Sequence, residues 1–73
     1  MVITKEIAEF VKYIRCIEQK SFRVTCREAA EKFPQLNLRA GDQNDGMKLC
    51  CECENFLGEK DEQYGNWDNL YFG

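Results

Sequence analysis

Near the start of the chain, apolar residues recur at steps of four, three, four and three: Ile3, Ile7, Phe10, Ile14 and Ile17, with Val11 widening the stripe. That spacing puts one buried face on a helix and leaves Lys5, Glu9, Lys12 and Glu18 elsewhere on its surface. It predicts a first helix over residues 5–19, with Thr4 as its cap and Glu6 favourable in the first turn. Residues 21–24, Ser-Phe-Arg-Val, alternate and suit a short strand. Thr25 and Glu28 then form a capping box, so a second helix is expected from Cys26, with Ala29, Ala30 and Phe33 facing inward. Pro34 disfavours helix at Phe33 and ends that helix there.

Residues 34–44 read as a connection pinned to the core by Leu36 and Leu38. A third helix is expected from an N-cap at Asn44 or Asp45, with Met47, Cys50, Cys53 and Leu57 as its inner stripe and Gly58 as a left-handed C-cap. Gly46 weakens any helix that begins earlier. From Glu59 onward, Gly65-Asn66 lies between Tyr64 on one side and Trp67, Tyr71 and Phe72 on the other, which reads as a β-hairpin. The expected fold class is α+β: three helices with a small antiparallel sheet, as one domain over residues 1–73.

This order of helix, strand, helix, helix and hairpin resembles the winged helix-turn-helix domain. The likeness rests on Val24 to Phe33 as a strand leading into a Thr-capped, Ala-containing helix. It rests also on Asn55-Phe56-Leu57-Gly58 as the end of a third helix, and on Glu59 to Phe72 as a wing. The resemblance implies a third helix entering the DNA major groove and a wing touching phosphates.

Charge argues against that use. Residues 1–40 hold eight basic against five acidic side chains, whereas residues 41–73 hold two against eight. The expected third helix carries Asp42, Asp45, Glu52 and Glu54 against Lys48, and the expected wing carries Glu59, Asp61, Glu62 and Asp68 against Lys60. Phosphate contacts supply most non-specific affinity for DNA, so duplex DNA is not expected to bind through the third helix.

The chain has 73 residues and no His. A Ser-His-Asp triad, a Cys-His dyad and any His metal ligand are thereby excluded, and a self-contained enzyme is not expected at this size. Five cysteines, three of them in Cys50-Cys51-Glu52-Cys53, do not form an even secreted framework. Cys50 and Cys53 read as small core residues rather than half of a zinc site, because no second Cys pair stands at the required spacing. No metal or cofactor is expected. The first residues do not form a secretory signal, and the apolar runs are too short to span a bilayer. A cytoplasmic location is expected.

The leading expectation is a small acidic protein-binding module that docks on a basic, nucleic-acid-binding type of surface as an inhibitor or regulator. Small acidic viral inhibitors of host enzymes offer an analogy. The expected contacts are Glu52, Glu54, Glu59, Asp61 and Glu62, with Trp67 as an aromatic anchor. The alternative is a DNA-binding transcriptional regulator using the basic first half through Lys12, Arg15, Lys20, Arg23, Arg27 and Arg39. A homodimer assembled through the aromatic hairpin is a third arrangement.

Overall fold

The computed structural model describes residues 1–58, which form three helices joined by short connections. The first, α1 (Lys5–Lys12), begins at Thr4, whose Oγ1 accepts the Ile7 N–H at 3.2 Å. It continues without a break into a π turn, Tyr13–Ile17, in which the Glu18 N–H donates to the Tyr13 carbonyl five residues back at 3.0 Å. The segment closes at Gln19, in the left-handed region at φ 54°, and the Lys20 N–H returns to the Ile14 carbonyl at 3.1 Å.

The π turn corrects the expected apolar stripe. Each of its turns takes up an extra residue, so the side chains after Tyr13 fall behind α-helical register. Ile14 stays in the core and Arg15 is carried in beside it, while Ile17 emerges 68% exposed.

The second helix, α2 (Phe22–Lys32), starts where a strand was expected. Ser21 is extended, with its Oγ accepting the Val24 N–H at 3.2 Å, and is the actual N-cap. Thr25 sits one turn inside the helix, fully buried, with its hydroxyl donating to the Ser21 carbonyl at 2.8 Å. A four-residue alternation is too short to separate a strand from a first helical turn. A strand also needs a pairing partner, and no strand occurs among the described residues. The α+β expectation is therefore corrected to an all-helical arrangement over these residues, and the likeness to a winged helix loses its first strand. The hairpin expected over residues 59–72 lies outside the described residues.

Phe33 ends α2 before Pro34, and a single 3-10 turn (Pro34–Leu36) follows. The third helix, α3 (Gln43–Leu57), is capped by Asp42, slightly earlier than expected. Its Oδ1 accepts the N–H groups of Asn44 at 2.8 Å and Asp45 at 3.3 Å. Gly58 closes the helix at φ 71°.

The core is Ile7, Ala8 and Val11 of α1, Ala29 and Phe33 around α2, and Leu49, Cys50 and Cys53 of α3. Phe10 and Phe33 meet edge to face at 5.4 Å. α3 packs against both other helices. Its approach to α2 depends on Gly46, since a Cβ there would stand 2.2 Å from the Phe22 carbonyl oxygen. No helix among the described residues is long and apolar enough to cross a membrane.

Candidate functional site

The inner arc of α3 is Gly46, Leu49, Cys50, Cys53 and Glu54. These positions follow the steps three, one, three and one of a core-facing helix. Met47, expected inside, is 46% exposed, and Leu57 is half-buried. Glu54, expected to project outward as a partner contact, is 1% exposed, which removes it from any docking surface. The reason is angular: eight residues after Gly46, it closes the inner arc. Leu49 together with Gly46 was the signal for this arc. Glu52 is half-buried. Glu59, Asp61, Glu62 and Trp67 lie outside the described residues.

The other two acids of α3 hold the helix start in place. Asp42 is its cap, and Asp45 Oδ2 accepts the Arg39 N–H at 2.9 Å. The exposed residues of α3 are instead Gln43, Asn44, Met47, Lys48, Asn55 and Phe56, a nearly uncharged surface that includes two large apolar side chains.

The basic residues named from the sequence do not share one surface. Arg15 is fully buried: its guanidinium carbon stands 4.0 Å over the Phe22 ring, and Nη1 donates to the Lys20 carbonyl. It ties the π turn to α2 and is unavailable to a nucleic acid. Lys12 is half-buried. Lys20 is half-buried and pairs with Glu28 at 3.6 Å and Glu18 at 3.9 Å. Arg23 and Arg27 are exposed one turn apart on α2. The Arg39 carbonyl accepts from the Cys26 Sγ at 3.0 Å, and the Arg39 side chain is open to solvent, 4.0 Å from Asp42.

All five cysteines are free thiols. Burial pushes the Cys53 thiol up to about 12, helped by the neighbouring charges of Glu52 and Glu54. Burial raises Cys26 as well, helped by Asp45 and Asp42, while backbone N–H groups of Asp42 and Gly41 oppose the rise. Both are held as thiols, the form that is neither nucleophile nor metal ligand. Among the described residues, no three Cys, Asp or Glu side chains are grouped to hold a metal ion.

An open depression of about 400 Å³ lies between the N-terminal residues and the 3-10 turn. Among the described residues its walls are Met1, Val2, Ile7 and Leu36, with Thr4, Gln35 and Asn37. It offers shape and mainly apolar contact.

The sequence reasoning missed the outer side of the π turn. Tyr13 is 53% exposed and Ile17 68% exposed, four residues apart on one face. Ile17 fitted an α-helical stripe, and nothing local announced the change of register.

No protein-family model, no curated protein and no solved structure matches the chain.

Proposed function

We propose that the chain is a small non-catalytic module that binds another protein in the cytoplasm and acts on it as an inhibitor or regulator. The observation that carries this reading is the exposed Tyr13–Ile17 pair. The π turn takes an isoleucine out of the core and sets it beside a tyrosine, and large apolar groups held in water this way are characteristic of contact surfaces. π turns inside α-helices occur frequently at functional sites. The exposed carboxylates of Glu6, Glu9 and Glu18 around that pair favour a partner with a basic surface. Five free thiols suit a reducing compartment.

A second reading, nucleic-acid binding, is favoured by one observation. Three of the four acids expected on the third helix, Asp42, Asp45 and Glu54, serve as cap, loop anchor and buried group, while Arg23, Arg27 and Arg39 stand open to solvent. That weakens the charge argument against DNA, although Arg15 cannot take part.

One capture experiment separates the two. The immobilised chain is compared with Tyr13→Ala/Ile17→Ala and with Arg23→Ala/Arg27→Ala, with and without nuclease. A protein retained by the wild type and the arginine variant, but lost from the Tyr13→Ala/Ile17→Ala variant, supports protein binding. Loss in the arginine variant and on nuclease treatment replaces that reading with the second.

A further inference from the structure

Resting on the protein-binding reading, we infer that the outer ridge of α1 and its π turn is the docking surface, and that its occupant is a basic amphipathic helix of the partner. The ridge runs Glu6, Glu9, Tyr13, Ile17, with Glu18 at its far end, and all five side chains are exposed. The steps of three and four residues keep it on one side of the helix, opposite Ile7, Ala8 and Val11. From Glu6 to Ile17 it spans about 16 Å at 1.5 Å per residue.

The apolar pair lies between carboxylates. Glu6 and Glu9 stand exposed toward its N-terminal end, and Glu18, paired with Lys20 at 3.9 Å, stands at the other. The cations of the same helix are Lys5, exposed at its N-terminal end one turn before Glu9, and Lys12, half-buried beside Tyr13. An apolar centre bracketed by negative charge selects a partner with apolar residues in the middle and Lys or Arg toward both ends. A ridge about three turns long on one side of a helix is the shape that packs along another helix. Here the charges set the rate of encounter and the orientation, and Tyr13 and Ile17 set the residence time.

The test uses the isotope-labelled chain and an 18-residue helical peptide with Leu at i, i+3, i+4 and i+7 and Lys in its first and last turns. A twin peptide carries Glu in place of each Lys. Amide shift changes read by NMR should centre on residues 6–18 with the Lys peptide and be absent with the Glu peptide. Glu6→Lys/Glu9→Lys should weaken the Lys peptide about tenfold and gain the Glu peptide. Ile17→Ala should weaken it about tenfold with an unchanged melting temperature, since the side chain lies outside the core. If the shifts centre elsewhere, or if charge reversal at Glu6 and Glu9 leaves affinity unchanged, this surface is wrong. In that case, if partner capture still depends on Tyr13 and Ile17, the protein-binding reading stands. If capture is indifferent to them, that reading falls as well.

Discussion

Replacing Gly46 by Ala should destabilise the protein, although the same change in an isolated helix would stabilise it. Gly46 lies in the first turns of α3, where Gly→Ala is worth about 1 kcal/mol in favour of helix. In the folded chain the added Cβ would stand 2.2 Å from the Phe22 carbonyl oxygen and 2.8 Å from its carbonyl carbon. Neither atom belongs to a side chain that can rotate away; both are backbone in the first turn of α2, the turn that Ser21 caps. Ordinary contact requires α2 and α3 to part by about 1 Å, which loosens the packing around Phe22, Leu49 and Cys50. Overpacking of this kind costs about 1–3 kcal/mol, and backbone contact places it at the upper end. Subtracting the propensity gain leaves a net loss of about 2 kcal/mol. For a domain of this size, that lowers the melting temperature by roughly 8–16 °C. Urea and thermal unfolding followed by circular dichroism at 222 nm would measure it. A Gly46→Ala variant as stable as the wild type, or more stable, would falsify the close α2–α3 approach and leave helix propensity as the only effect of the residue.

Arg15→Ala should cost about 3 kcal/mol in the same assay, because it empties a fully buried position and frees the Lys20 carbonyl, whereas Arg23→Ala and Arg27→Ala should each stay within about 0.5 kcal/mol. Equal small effects at all three arginines would contradict the buried placement. The pH dependence of Cys53 has a definite sign. Its thiol is raised from 9.0 to about 12 in the fold, so its contribution is complete below pH 9 and is lost as pH rises from 9 toward 12. Relative to Cys53→Ala, the wild type should lose up to about 1.4 kcal/mol per pH unit in that window, read from urea midpoints at pH 8, 9.5 and 10.5. Parallel curves for the two proteins would show that Cys53 titrates normally.

Much of the helical architecture follows from the sequence alone. The recurrence of Ile7, Val11 and Ile14 gives α1 and the turn that continues it their buried face, and Pro34 ends α2 because it disfavours helical geometry at the residue before it. Gly58 ends α3 because only a left-handed residue closes the helix there without strain. Cys50 and Cys53 lie on the inner arc that their spacing implied. Tertiary structure decided the rest, at places where local signals were degenerate. Ser21 and Thr25 are both competent caps. Ser21 takes the role because starting the helix there seats Phe22 against Arg15 and against the bare backbone of Gly46, contacts that no local window contains. The π turn moved Ile17 outward and Arg15 inward, because the junction with α2 needed the Arg15 guanidinium on the Lys20 carbonyl and the Phe22 ring. Glu54 went inside because the inner arc of a helix packed on two neighbours is wider than a two-residue stripe. The candidate contact surface moved with these choices, from an acidic third helix to the outer side of α1.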